Sequence, residues 1–568
     1  MKMPIEMEKR KKHEEITAYA VRHLPIIKDF AMKLGIVQII NELVPSQMDE
    51  DPGTVFLGMI LDTLSGRSPL YRLDEFFENQ DTELLLGKTA KPEAFKDYSV
   101  ARVLDKAYET GSIKIFTEIS RRAVFLFDVD TSHVSFDTTS VSVYGEYEQY
   151  CGEGSVDAPF IIAHGYSKDH RPDLKQFLVS MLCVDRNIPI IGGTEDGNAS
   201  DKTINNTVLS SVSKHLAKFG IAEGAYIYIA DSAVVTEKNL KQMGDSILFI
   251  TRLPATYNEC ARVVREAVEK DEWEDIGVLA ETKPTKNRPA AYYKSHESEV
   301  ELYGKKYRSI VVHSSAHDKR RKKRIDRELE TDRKEIESEL KKLSKERFYC
   351  FEDAQKAMEL LLGAKSKYHV VEANVVEMPK YKKGRPRNGE KQIDRIFFGV
   401  NGRLEEKPKA VERFKQEAGC FVLLTNVQKQ GEMARNSLEV LKAYKDQHGI
   451  EQNFGFLKDP VIVNSIFLKK PERIEVLGLV LLLSLLIWRL VERAMRNFIE
   501  KTGKDLPGWK NRRTKKPTSF MLGTKFAGVI VLKIEGERRL SKPLTSQQKE
   551  YLHSLGIRSD VFTTPKNE

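Results

Sequence analysis

Three acids stand out by position: Asp137 within SFDTTSVSVYG, Asp231 at the end of YIYIAD, and Glu451 within YKDQHGIEQNFGFLKDP. The last stretch spaces Tyr444, Glu451 and Lys458 seven residues apart, almost two helical turns, so a continuous helix would align them on one face. Such a row is either a solvated face or a grip on a phosphate beside a metal ion. Carboxylates placed within or at the end of a sheet strand are costly to bury unless a cation accompanies them. Three converging carboxylates could hold two Mg²⁺ ions about 4 Å apart, lowering the pKa of a bound water and stabilising the attacking and leaving oxygens of a phosphodiester exchange. Taken singly, an aspartate at a strand end is more often a turn former or helix cap, and Asp231 precedes a helical segment. Only the set of three tips the balance toward chemistry.

The elements that must position these acids are legible in the pattern. Residues from about 15 to 125 read as helical, with Asp51-Pro52-Gly53 opening one helix and Gly66 closing it. From about 130 the period changes. HVSFDTTSVSVYG (133–145) alternates as a strand, and APFIIAHGYS and DLKQFLVSMLCVD are predicted as further strands. A helix from about Lys202 to Leu216, the strand YIYIAD (226–231), the short helix TEKNLKQM and the strand SILFITRLP complete a mixed α/β sheet. Residues 255–418 have another texture, including the charged helix 319–347, whose thin stripe of Ile325, Leu329, Ile336, Leu340 and Leu343 predicts a helical hairpin or coiled arm. GCFVLLTNV (419–427) resumes the sheet pattern. The expected division is therefore 1–125 helical, 126–254 first part of the core, 255–418 insertion, 419–500 second part of the core, and 501–568 a basic tail. In that tail KFAGVIVLKI is expected as a strand, and Thr545 and Gln548 as a capping box.

Composition bounds the class. With 40% hydrophobic and 31% charged residues over 568 positions, the chain reads as folded, multidomain and highly charged. The net charge of +9 is mild but gathered in patches, which is what nucleic acid feels. Five scattered cysteines, without a CxxC pair, indicate neither a zinc site nor a disulfide framework and suit a reducing cytoplasm. MKMPIEMEKRKKHEE lacks the apolar core of a signal peptide. VLGLVLLLSLLIW (476–488), closed by Arg489, is too short for the roughly 20 residues of a membrane span and reads as a buried helix.

SFDTTSVSVYG, YIADSAV and the Y-(2)-Q-(3)-E-(6)-K row resemble the three motif blocks of DDE transposases of bacterial insertion sequences, and within them the group named for its Y-(2)-R-(3)-E-(6)-K signature. GYSKDHRPDLKQF, FITRLP, FVLLTN and the apolar helix after Lys458 are similar in turn, and residues 35–87 resemble a helical leader found in one branch of that group. The resemblance implies an RNase H-like catalytic core interrupted by a large insertion, with a helical N-terminal domain that binds DNA ends. It implies Asp137, Asp231 and Glu451 as catalytic and metal-binding residues for two Mg²⁺ ions, with Mn²⁺ able to substitute, and Tyr444 and Lys458 as phosphate contacts near the scissile bond. Gln447 stands where the signature has Arg, and it brings neither the charge nor the bidentate fork. Val235 stands where the group usually has a bulky aromatic.

The activity so implied is metal-dependent cleavage at the element's ends and strand transfer into target DNA. The expected partner is double-stranded DNA, bound by a homodimer on paired ends, without a membrane, in the cytoplasm at the nucleoid. The alternatives are an RNase H-like DNA endonuclease without strand transfer, or a catalytically decayed DNA-binding protein. KKGRPR (382–387) carries a Gly-Arg-Pro core that could set Arg385 into a narrow minor groove with Lys383 on phosphate, although the signal is short and a flexible basic loop explains it better. KRRKKR (319–324) and KNRRTKKP (510–517) are non-specific phosphate contacts or solvated charge runs. Trp273 is a core or surface residue, or a platform for an extruded base.

Overall fold

The structure is a computed structural model and describes residues 16–66, 72–145, 147, 158–166, 171–280, 284, 289–363, 366–383, 391–459, 466 and 468–565. The chain forms two compact units, one from Met1–Thr251, Gln430–Met433 and Ala443–Glu568, the other from Arg252–Lys429 and Ala434–Lys442.

The first unit begins with strand β1 (Ile16–Tyr19) and seven helices: α1 (Leu24–Lys33), α2 (Ile36–Leu43), α3 (Pro52–Ser65), α4 (Leu73–Glu78), α5 (Thr82–Leu86), α6 (Asp97–Thr110) and α7 (Ser112–Leu126). Asp51 caps α3 by accepting the Thr54 amide, and Gly66 ends it at φ +118°, a conformation that favours glycine. β1 departs from the expected all-helical leader because its partner, Val531–Ile534, is supplied from far along the chain.

Its sheet comprises β2 (His133–Val143), β3 (Lys175–Val184), β4 (Ile188–Glu195), β5 (Ile227–Ala230) and β6 (Leu248–Arg252) in the order β4-β3-β2-β5-β6. The first three strands form an antiparallel meander, whereas β5 runs parallel to β2, and β6 to β5. Helices α8 (Asp201–Ala217) and α9 (Glu237–Met243) make the crossovers that parallel pairing requires. The expected strand at APFIIAHGYS is corrected. Its described residues make a single bridge, Ala163 to Gln176, because β4 already occupies the rest of that edge of β3. β4, IPIIGGTE, hides behind its proline and glycines. At Gly192 a Cβ would lie 2.6 Å from a terminal methyl of Leu482, so the strand and α16 pack closely there.

In the second unit α10 (Asn258–Lys270) precedes β7 (Glu274–Val278), β8 (Tyr292–Leu302) and β9 (Lys305–Ser314). Next come α11 (Ser315–Leu343), α12 (Phe351–Gly363), the strands β10 (His369–Tyr381) and β11 (Ile393–Glu406), α13 (Pro408–Glu417) and β12 (Cys420–Thr425). β12, β9, β8 and β7 pair antiparallel in that order, and β10 and β11 form a separate hairpin. No residue of α11 is buried; its thin stripe packs partly on the hairpin, where Leu340 lies against Gly402. The charged arm is thus a helix backed by a β-hairpin rather than a helical pair.

α14 (Ser437–Asp446) leads back to the first unit, which continues with α15 (His448–Leu457) and α16 (Pro471–Thr502). The seven-residue row therefore does not run along one helix, because the elements break at Gln447 and Lys458 lies just past α15. α16 is long and apolar enough to cross a membrane, but 89% of its most apolar window is buried within the protein, so it is a core helix. At the tail, a helix over Ser519–Phe526 shortens the expected strand to Val531–Ile534, and the Thr545/Gln548 capping box is present.

Candidate active site

Asp137 sits half-buried in the middle of β2, flanked by buried Phe136 and Thr138. Asp231 follows directly on β5 and is exposed. The β2–β5 ladder pairs His133 with Ile227, Val134 with Tyr228 and Ser135 with Ile229, and ends there. Two residues further along, Asp137 comes level with Asp231 on neighbouring strands, which lie about 4.8 Å apart in a sheet. Thr251 of β6 pins the turn by donating to the Asp231 carbonyl at 3.0 Å. Each aspartate accepts the amide of its own successor at 2.7 Å, Thr138 for Asp137 and Ser232 for Asp231. In Asp231 that bond opens the short helical turn Ser232–Val234, so the side chain caps that turn.

α15 is fastened over the same strands by a polar residue in an apolar stripe. Asn453, fully buried, donates to the Asn187 carbonyl at 2.9 Å and lies 3.3 Å from Cys183 Sγ and 3.4 Å from Met181 Sδ. Met181 is the cross-strand partner of Asp137 and Cys183 that of Ser135. Cross-strand partners share a face, so Asp137 projects on the side that α15 covers. Asn453 Oδ1 accepts from Arg489 Nε at 2.7 Å, and Arg489 in turn meets Glu492 at 2.6 Å, a buried ion pair on α16. Glu492 also takes the Ser519 amide at 3.1 Å. Close approach of α15 to the β3–β4 turn requires Gly449, where a Cβ would fall 2.5 Å from the Arg186 carbonyl. That turn is held by Arg493, which binds Asp185 at 2.6 Å and the carbonyls of Phe127 and Asp128 at 2.7 Å.

The electrostatics place Asp137 among these groups. Burial pushes the Cys183 thiol up to about 12, the Asn453 bond and Arg489 oppose, and the Asp137 charge adds to the rise. Burial likewise drives the Tyr228 phenol well up, with Tyr226 and Asp137 contributing. Among the described residues the buried Tyr228 hydroxyl has no hydrogen-bond partner.

Glu451 is treated differently. It lies in the first turn of α15, where a negative charge suits the helix N-terminus, and is 65% exposed. It is two residues, about 200° of helix, from the inward Asn453, and its carboxylate is bound by His448 Nδ1 at 2.5 Å. Among the described residues no three His, Cys, Asp or Glu side chains gather as a metal-holding group. The structure thus brings the two aspartates together by register and leaves Glu451 on the open side of its helix.

Of the other expected contacts, Tyr444 is half-buried in the last turn of α14 and Gln447 occupies the break before α15. Lys458 is half-buried at the end of α15. Lys383, in the second unit, is exposed past β10, and Arg385 lies outside the described residues. Trp273 is half-buried, its ring edge-on to His296 and His313 at 6.2 Å, which accounts for it as a packing residue. The sequence pattern assigns no positioning role to Asn453, Arg489, Glu492 or Gly449. The available signal was an Asn at helical spacing among Ile450, Phe454 and Leu457, and an Arg/Glu pair three apart inside an apolar helix.

Comparison with known proteins adds a family model described as a domain of unknown function (DUF4277), which matches residues 16–121. No curated protein matches. Among solved structures, a cryo-EM structure of the piggyBac transposase synaptic complex with hairpin DNA aligns over 91% of this chain and 84% of that one, at 10% identity and a TM-score of 0.36. A likeness that loose carries no argument about the fold.

Proposed function

We propose that the chain is a transposase that cleaves DNA at the ends of its element and joins the freed 3′ end to target DNA. The observation that carries the reading is the register of β2 and β5, which sets Asp137 level with Asp231 beneath the helix that bears Glu451. The strand order β4-β3-β2-β5-β6, an antiparallel meander followed by two parallel strands, supports an RNase H-like core. The domain matched over residues 16–121 is one found in transposase-like proteins, which supports the same class.

The two aspartate carboxylates offer oxygen donors that fit hard divalent cations such as Mg²⁺, with Mn²⁺ as a substitute. Asp137 and Asp231 would hold them, and Glu451, now on the open side of α15, would have to leave His448 and swing round the helix to complete the set. When bound, such ions supply Lewis-acid stabilisation of the phosphodiester's charged oxygens and an activated water. The protein's own share is positional. The β2–β5 ladder fixes the two aspartates, while Asn453 and the Arg489–Glu492 pair fix α15 on β3. Tyr444 and Lys458 flank Glu451 along the chain, and we assign them to the phosphates beside the scissile bond. DNA bound by a homodimer on paired ends completes the proposal.

The test is purified protein with Mg²⁺, DNA carrying the element's own ends, and a labelled pre-cut end with plasmid as target. Asp137→Ala, Asp231→Asn and Glu451→Gln should each abolish cleavage and joining while leaving end binding intact. Unchanged cleavage in Asp137→Ala would refute the catalytic assignment, and cleavage without joining would reduce the protein to an endonuclease. End binding without either reaction in the wild type would mark a DNA-binding protein that has lost its chemistry.

A further inference from the structure

In the second unit α11 forms one wall of an open groove of about 740 Å³, and the segment entering β10 forms the other. Arg320, Lys323, Arg324 and Arg327 line the first wall, all exposed, and exposed Lys367 lines the second. We infer that this groove binds the phosphate backbone of duplex DNA. The inference rests on the proposed function for its choice of partner.

A charge run on an exposed helix is ordinarily a solvated face. Three observations set this one apart. The cations recur at steps of three and four residues, so they share one face and offer a positive charge about every 5.4 Å, a line rather than a point. Two of the groove's acids are already engaged: Glu328 by Arg324 and the Tyr368 hydroxyl, each at 2.7 Å, and Asp332 by His369 at 2.7 Å and Ser366 at 2.5 Å. With Arg324 paired to Glu328, the cations Arg320, Lys323, Arg327 and Lys367 still outnumber the two other acids, Asp332 and Glu335. Finally, the groove's one aromatic, Tyr368, is buried with its hydroxyl on Glu328, so no ring is presented for stacking on bases. Cations without a stacking platform suit a duplex backbone rather than a single strand.

The experiment is fluorescence anisotropy on the full chain, in EDTA, with a short labelled duplex of arbitrary sequence over a series of salt concentrations. Replacing Arg320, Lys323 and Arg327 together by Gln should weaken binding and make the slope of log K against log salt shallower by about 3. Glu335→Gln, which removes one negative charge from the groove, should tighten binding, and it serves even where the triple variant fails to fold. An unchanged slope in a folded triple variant, or no tightening by Glu335→Gln, overturns the proposal. Equal or tighter binding of single-stranded RNA of the same length overturns the assignment to duplex DNA. Because no metal is present, the outcome is independent of the chemistry. Weakened binding with an active Asp137→Ala enzyme would sink the catalytic reading and spare the groove, and the converse pair of results would do the reverse.

Discussion

Asp137 and Asp231 carry like charges on adjoining strands, an arrangement that costs stability until a cation joins them. Asp231→Asn should therefore raise the melting temperature of the metal-free protein, by the equivalent of about 0.2–1 kcal/mol, while abolishing cleavage. A variant melting below the wild type in EDTA would show that Asp231 serves chiefly as the cap of the Ser232 turn. Both aspartates were legible in the sequence because each falls in a strand whose alternation or apolar run is plain. The state of Glu451 was not legible, since a seven-residue spacing assumes one helix and the chain breaks at Gln447.

At the level of elements, α15 depends on α16. Arg489→Met would leave buried Glu492 with only the longer Arg496 contact at 3.4 Å and should cost about 1–3 kcal/mol in urea unfolding. Adding Glu492→Leu should recover most of that loss, and failure to recover would mean that the Ser519 amide contact matters more than the pair. Asn453→Ala should cost about 1–3 kcal/mol by stranding the Asn187 carbonyl and one guanidinium donor, with cleavage falling alongside stability. The apolar run of α16 announced a buried helix. Its polar pair did not announce a partner, because that partner is 36 residues away on another helix. β4 was hidden for a related reason: its pairing is set by β3 rather than by its own alternation.

At the scale of the whole molecule, the first unit ties distant segments of the chain together and contains a pH-sensitive point. β1 pairs with Val531–Ile534, and Arg538, almost fully buried, binds Asp81 at 2.6 Å and Glu83 at 2.6 Å. His23 packs edge-on to Trp488 of α16 and contacts the Leu64 carbonyl at 3.1 Å, and burial lowers its pKa to about 4 despite that bond. A base whose folded pKa is depressed contributes its stability in full above its unfolded value of 6.5 and loses it as pH falls toward 4. The loss amounts to ~3 kcal/mol. The melting temperature should fall over that window in the wild type and fall less in His23→Leu; parallel curves would remove His23 from the account. This coupling was invisible in the sequence, where His23 is one polar residue before a helix.

The central claim is that Asp137, Asp231 and Glu451 serve one divalent-cation site, and its most direct test needs no DNA. Fe²⁺ exchanged into that site in the presence of ascorbate generates hydroxyl radicals that cut the nearby backbone. The account predicts cuts close to residues 137, 231 and 451 together, suppressed by excess Mg²⁺ and lost in Asp231→Asn. Cuts near the two aspartates but never near Glu451, or a pattern indifferent to Mg²⁺, would contradict it.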